Sequence, residues 1–245
     1  MKLTILGNWG PYPKAGGACS GYLFEEKDIK ILLDCGNGTF SRLQQVLPSL
    51  NDLTGILLTH LHSDHMSDVM VMRYALGIGR MKGYIDKAVP LYAPGSPNED
   101  FQKLQYENAF ELHTIHSDLV LRVGDLKITF MKMNHPIETY GVAIENERKK
   151  FVFSGDTRYC SQILKLAEDA DLFLCEAGVL ERDKGSTTPH LSAQEVGYIG
   201  TVCNVKKLLL THYWPEYDLQ EIFQEAKKEY GGELILSEEM KSYEA

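Results

Sequence analysis

Short runs of branched apolar residues alternate along the chain with longer stretches of helical spacing. Strand-like runs fall at residues 3–6, 21–24, 29–33, 55–58 and 89–92, and again at 126–133, 141–144, 150–153, 172–175 and 207–210. Apolar positions at helical spacing predict helices over 38–47, from about 66 to 76, and over 161–167, 193–202 and 219–229. Gly141-Val142-Ala143-Ile144, a polar Glu145-Asn146-Glu147-Arg148 and then Phe151-Val152-Phe153 read as a hairpin. Strands lead into a helix in the first third, hairpins fill the middle, and strand-helix-strand-helix closes the chain. That mixture predicts an α+β fold of two sheets with helices outside them. The longest loop-like segments are 7–18, 93–100 and 180–192, the places where binding and chemistry concentrate. With no Ser/Gly-rich linker, low-complexity run or strong repeat to divide it, 1–245 is expected to be one domain.

Composition narrows the function. Of 245 residues, 44% are hydrophobic and 24% charged, which excludes a disordered or fibrous chain. Lys and Arg number 25 against 34 Asp and Glu, and a net charge of -9 argues against a broad basic face gripping nucleic acid. A local basic groove, or a small anion held by metals, stays open. No apolar stretch reaches the roughly 18 residues of a membrane span, and the run Leu3-Thr4-Ile5-Leu6 is short for a secretory signal. Cytoplasmic residence is the default expectation. Cys19, Cys35, Cys160, Cys175 and Cys203 are odd in number and form no CxxC pair, so they read as buried thiols and not as a disulfide framework.

The sharpest local signal is Thr59-His60-Leu61-His62-Ser63-Asp64-His65, placed between an apolar run and a helix. An extended segment points His60 and His62 in one direction. Asp64 and His65 follow in the turn and can approach the same cavity from another angle. Imidazoles and carboxylates at this density suit zinc, and also manganese or iron. Three further apolar runs end in similar fashion, at Asn134-His135, Gly155-Asp156 and Thr211-His212. Together these residues can place seven ligands on one rim of the sheets.

At this point the sequence resembles the metallo-β-lactamase superfamily, and within it the phosphodiesterase branch near ribonuclease Z. His60-Leu61-His62-Ser63-Asp64-His65 matches the HxHxDH signature, and His135, Asp156 and His212 match in order. Leu33-Asp34-Cys35-Gly36 and Phe153-Ser154-Gly155-Asp156-Thr157 look like the family's strand-turn segments, so the likeness runs from about Ile5 to Leu236. The resemblance implies a four-layer αββα sandwich with a dinuclear site at its edge. His60, His62 and His135 are then expected on one ion, Asp64, His65 and His212 on the other, with Asp156 bridging. Asp64 stands where a cysteine points towards lactamases, which makes a β-lactam substrate a poor expectation.

Leu174-Cys175-Glu176-Ala177 resembles the ribonuclease branch's HEAT-type segment with Cys175 in place of its histidine, and Pro189-His190-Leu191-Ser192-Ala193 resembles its histidine-serine-alanine segment. The likeness makes Glu176 an orienter and His190 a proton donor or phosphate contact. On residue chemistry alone, His190 lies near helix N–H groups that favour an anion, or else is a solvated loop residue beside a capping Ser192. Asp34 either orients a ligand histidine or holds the Cys35-Gly36 turn. Only 21 positions separate His135 from Asp156, which leaves no room for the long basic arm with which ribonuclease Z clamps tRNA. The expected activity is hydrolysis of a small or cyclic phosphodiester, or a short nucleotide, by a hydroxide activated between two divalent ions. Asp64 is expected to orient or deprotonate the water as well as bind metal. Competing readings are a thioester or lactone hydrolase on the same scaffold, a tRNA 3′-processing endonuclease whose groove a homodimer supplies, and a noncatalytic metal-stabilised binding protein. Trp9-Gly10-Pro11-Tyr12-Pro13, the Met66 to Met81 region and His212-Tyr213-Trp214-Pro215 are candidates for lining an entrance, with core or dimer packing as the plainer alternative. His113 and His116 are expected outside the site.

Overall fold

The computed structural model describes Met1–Ala245, in which two seven-stranded sheets pack face to face. The first sheet runs in the order β14 (Ser242–Glu244), β1 (Lys2–Gly7), β2 (Gly21–Glu26), β3 (Ile29–Cys35), β4 (Gly55–Leu57), β5 (Val89–Pro94) and β6 (Phe110–Ile115). The second runs β13 (Glu233–Leu236), β12 (Lys207–Thr211), β11 (Leu172–Glu176), β10 (Lys150–Phe153), β9 (Tyr140–Glu145), β8 (Leu126–Lys132) and β7 (Val120–Val123). Each sheet is antiparallel on one side and parallel on the other: β3 to β6 are parallel in the first, β10 to β13 in the second.

Successive residues of a strand face opposite sides of the sheet. In β2, Tyr22 and Phe24 enter the core between the sheets while Leu23 enters the core under the first sheet's helices. In β12, Leu209 points between the sheets and Leu208 and Leu210 point to the second sheet's helices. Central strands are therefore apolar on both faces, because both faces are covered. The outer layers are α1 (Thr39–Val46), α2 (Ser63–Met66), α3 (Val69–Met81) and α4 (Asn98–Lys103) with the first sheet, and α5 (Ser161–Ala167), α6 (Ala193–Val202) and α7 (Leu219–Glu229) with the second. The result is the αββα sandwich. Inside it Tyr22 crosses between sheets, its ring edge-on to Phe153 at 5.0 Å and its hydroxyl 2.8 Å from Thr211 Oγ1.

The single helix expected from about 66 to 76 is two, broken at Ser67 and Asp68. Asp68 serves another element: its carboxylate accepts the Phe40 N–H at 2.9 Å in the first turn of α1, whose own cap position, Gly38, has no side chain to do so. Met66 and Met72 pack into the core and Met81 is exposed. All five cysteines are free thiols. No helix is long and apolar enough to cross a membrane.

Candidate metal centre

Parallel strands end at one rim, and that rim carries the polar residues. Asp34 lies near the end of β3, Thr59 and His60 follow β4, and His135 follows β8, which runs in the same direction as β10. Asp156 follows β10, Glu176 ends β11, and His212 follows β12. Open α/β sheets bind ligands at the carboxyl ends of their strands for this reason. Three of these ends step through the left-handed region: Asp34 at φ 53°, Gly155 at 57° and His212 at 56°. A left-handed residue turns the chain sharply out of the sheet, at Asp34 and His212 with the site side chain on the residue itself and at Gly155 with it on the next, Asp156; for a non-glycine residue it costs about 1 kcal/mol.

Two ligand groups result. His62 Nδ1 lies 3.0 Å from His60 Nε2 and 3.2 Å from His135 Nε2, and Asp156 Oδ2 lies 3.7 Å from His60 Nε2. In the other group, His212 Nε2 is 3.2 Å from Asp64 Oδ2 and 3.3 Å from Asp156 Oδ2, while His65 Nε2 is 3.4 Å from Asp156 Oδ1. Two ligands each about 2.1 Å from a tetrahedral ion stand roughly 3.4 Å apart, so the donors fit divalent metal in both groups. Asp156 belongs to both.

Proton placement supports the same fit. Asp34 accepts the Thr59 backbone N–H at 2.7 Å and the Thr59 hydroxyl at 2.9 Å, and stands 2.8 Å from His65 Nδ1. His65 therefore donates from Nδ1 to Asp34; against burial, Asp156, Asp64 and Asp34 raise its pKa well above the ordinary histidine range, so a metal ion would displace the proton on Nε2, a buried atom with no hydrogen-bond partner. Thr59 Oγ1, having given its proton to Asp34, accepts from His60 Nδ1 at 3.0 Å, which leaves His60 Nε2 bare. His135 Nδ1 donates to the Pro189 carbonyl at 3.2 Å with the same consequence. Burial pushes His60 and His62 below the ordinary histidine range and His135 down to about 4, so these rings are neutral. Asp156 is held well below the ordinary carboxylate range despite burial, chiefly by His212 and His65 beside it. Neutral imidazoles and ionised carboxylates are the states a metal requires.

Asp34 thus orients His65 directly and His60 through Thr59; of the two roles open from the sequence, it takes the first. Replacing Asp34 with alanine is expected to weaken zinc binding by about 10- to 100-fold, as read by chelator competition. Unchanged affinity would remove it from this role.

Beyond Asp156, His190 Nδ1 stands 3.0 Å from Glu176 Oε2 and 3.8 Å from Asp156 Oδ2. Glu176 is fully buried and its other oxygen accepts the Thr157 N–H at 2.6 Å. Burial alone depresses an imidazole, but the Glu176 carboxylate outweighs it and the His190 pKa is pushed up to about 9. Ser192 does cap α6, in a capping box with Glu195. His190 is nevertheless no free loop residue, since Glu176 holds it at the edge of the ligand groups. Cys175 turns to the helix-side core instead.

In the sequence Gly10 figures only as part of the candidate entrance segment Trp9-Gly10-Pro11-Tyr12-Pro13, with no role of its own. A Cβ there would sit 2.1 Å from His212 Nε2, so only glycine lets the loop after β1 close over that ring. Its neighbour Pro11 lines the cavity of about 310 Å³ beside the ligand groups, together with His62, Asp64, His135, Asp156 and His190. Trp9 and Tyr213 are buried and pack edge-on at 5.9 Å. None of the Met66 to Met81 methionines lines a cavity at the site, and His113, stacked on Tyr92, stands on β6 away from it.

Comparison with known proteins agrees with this architecture. Residues 30–213 match the Beta-lactamase superfamily domain. The chain is 31% identical over 238 residues to a probable metallo-hydrolase, YhfI, of Bacillus subtilis, covering 97% of each chain. The crystal structure of that protein superposes with a TM-score of 0.94, covering 100% of this chain and 99% of the other at 30% identity. A Ribonuclease Z of Salinispora arenicola is 25% identical, with 98% of this chain and 94% of that one covered. A diphosphatase from the PhnP family shares the fold at a TM-score of 0.75 and 16% identity, covering 100% and 97%. With this fold, this rim of histidines and aspartates, and these relatives, the chain belongs to the beta-lactamase superfamily as one of its metallo-hydrolases.

Proposed function

We propose that the chain is a phosphodiesterase that hydrolyses a small phosphodiester, a cyclic nucleotide or a short nucleotide, at a two-ion centre. The observation that carries this reading is the pairing of buried Glu176 with half-buried His190, whose Nδ1 stands 3.8 Å from Asp156, the carboxylate common to both ligand groups. A thiolate leaves a thioester without help, whereas the alkoxide of a phosphodiester gains from a proton delivered as the bond breaks. A Ribonuclease Z among the relatives and a diphosphatase of the same fold favour phosphorus as the centre attacked.

His60, His62 and His135 are assigned to one ion, Asp64, His65 and His212 to the other, and Asp156 to both. Two divalent ions there, most suitably zinc, with manganese or iron as substitutes, supply a lowered pKa for water and positive charge against the phosphoryl oxygens. Asp64 orients the attacking water and takes its proton as the new oxygen–phosphorus bond forms. His190 Nε2 gives a proton to the departing oxygen as the opposite phosphorus–oxygen bond breaks, and Glu176 holds the imidazole by Nδ1. Solvent then returns the proton from Asp64 to His190.

Size agrees with the charge. The cavity of about 310 Å³ suits a small ligand. Between His135 and Asp156 the chain is occupied by β9, β10 and their turn, with no arm to clamp a long nucleic acid. The test is a substrate panel of bis-p-nitrophenyl phosphate, cyclic nucleotides, S-lactoylglutathione and a homoserine lactone. Phosphodiester turnover is expected to dominate, to fall at least ~100-fold on metal depletion, and to return with zinc, manganese or iron. Preference for the thioester or the lactone, or full turnover without metal, overturns the reading.

A further inference from the structure

A second chamber of about 270 Å³ adjoins the first and shares Pro11, Pro189 and His190 with it, with Asp183, His212 and Trp214 on its own side. We propose that this chamber receives the leaving arm of the substrate, and that it selects an arm that is uncharged and carries a flat aromatic ring of nucleobase size. The inference rests on the phosphodiesterase reading and adds to it which side of the phosphate departs and what chemistry that side must have.

Position gives the first half. His190 forms part of both walls, and with Nδ1 occupied by Glu176 its free nitrogen is Nε2. An oxygen that takes a proton from Nε2 while its phosphorus lies at the ligand groups has the rest of its arm directed past His190. That space is the second chamber.

Trp214 gives the aromatic preference. It stands two residues after His212, so the turn that delivers a metal ligand also delivers the indole. Its ring remains 40% exposed in a molecule whose other tryptophan, Trp9, is buried. It is not loose: the indole N–H donates to Tyr12 Oη at 3.3 Å, and the Tyr217 ring packs beside it at 5.7 Å. An anchored indole at a chamber wall is a stacking platform.

Charge gives the other half. Neither chamber is lined by a lysine or arginine. Asp183 lines the second one, with Oδ2 accepting the Tyr217 hydroxyl at 2.9 Å and Oδ1 left without a protein donor, while Glu216 accepts from Tyr12 at 3.2 Å. Arg182 Nε lies 3.6 Å from Asp183 Oδ2, but its other nitrogens are engaged by both oxygens of Glu221. His190 is the one cation on the wall, and its proton is committed to the departing oxygen, so a further phosphate on the leaving arm would meet the Asp183 carboxylate with no lysine or arginine to pair with, whereas an exocyclic amine or a ribose hydroxyl can donate to Asp183.

The metal-loaded enzyme is tested with adenylyl-(3′→5′)-adenosine, with the same dinucleotide phosphorylated at both ends so that either departing arm is anionic, and with bis-p-nitrophenyl phosphate. The uncapped dinucleotide is expected to be preferred over the phosphorylated one by at least ~10-fold in kcat/KM, and Asp183→Asn to narrow that preference. Trp214→Ala is expected to raise KM for the uncapped dinucleotide about 5- to 100-fold with metal content unchanged, and Trp214→Phe to recover most of the loss. The dinucleotide should also quench tryptophan fluorescence in the wild type and not in Trp214→Phe, a readout independent of turnover. Equal use of both dinucleotides, or an unaltered KM in Trp214→Ala, with bis-p-nitrophenyl phosphate still hydrolysed, overturns this inference alone. Loss of all three activities in the metal-loaded wild type overturns the phosphodiesterase reading beneath it.

Discussion

Asp156→Asn is expected to lower kcat/KM by ~10³-fold or more, equivalent to about 4 kcal/mol of transition-state stabilisation, and to leave fewer than two ions per chain. The substitution keeps the size of the side chain and the Gly155 turn that aims it, so what it removes is charge and a shared ligand. On the proposed assignment two divalent ions would bring four positive charges into a rim where Asp64 and Asp156 are the only carboxylates in the two ligand groups. With Asp156 neutral, one carboxylate faces both ions, and the neutral imidazoles offset none of their repulsion. An asparagine amide also turns one of its two positions into a donor, aimed at nitrogens that must themselves offer lone pairs. The contrast with Asp64→Asn sharpens the test, because Asp64 belongs to one group alone and its loss should spare the ion held by His60, His62 and His135. Metal content per chain separates the two variants, and thermal unfolding checks that both remain folded, as the three apolar cores do not involve either residue. An Asp156→Asn protein that keeps two ions and activity within tenfold of wild type defeats the assignment of Asp156 to both.

How much of this was legible in the sequence follows from where each residue gets its constraint. All ten strand-like runs that the pattern predicts are strands, and they are the interior of the two sheets, where cover on both faces leaves an unbroken apolar record. The four strands without such a record, β6, β7, β13 and β14, are the four edges. Exposed positions there accept polar residues, as in Phe110-Glu111-Leu112-His113-Thr114-Ile115, so neither periodicity nor length marks them. Likewise α4 buries none of its residues and left no apolar face to detect. The seven candidate ligands were legible because each follows an apolar strand, and strand ends on one rim must converge. The need for glycine at position 10 was not, because it comes from the His212 ring more than two hundred residues away. Thr59 was visible as part of the motif, but its role as a relay between Asp34 and His60 depends on which hydroxyl proton goes where, which no spacing encodes.

His190→Ala is expected to lower kcat by about 10²- to 10⁴-fold on a diester with an alkoxide leaving group while leaving metal content and KM near wild type. The size of the loss should depend on the leaving group, and that dependence separates a proton donor from a structural support. p-Nitrophenolate departs as a stable anion and needs little protonation, so bis-p-nitrophenyl phosphate should suffer far less than an alkyl or nucleoside diester. A residue that merely held the loop before α6 would harm both alike. Glu176→Gln gives a second handle. The carboxylate raises the His190 pKa to about 9 against the pull of burial, so it keeps the donor protonated through neutral pH. Bound cations draw that value down, and removing the Glu176 charge draws it down further. The alkaline limb of the rate profile, where the donor loses its proton, should therefore move to lower pH in Glu176→Gln and vanish from the residual activity of His190→Ala. An unmoved limb in Glu176→Gln, or equal losses on nitrophenyl and alkyl diesters in His190→Ala, would place the source of the proton elsewhere.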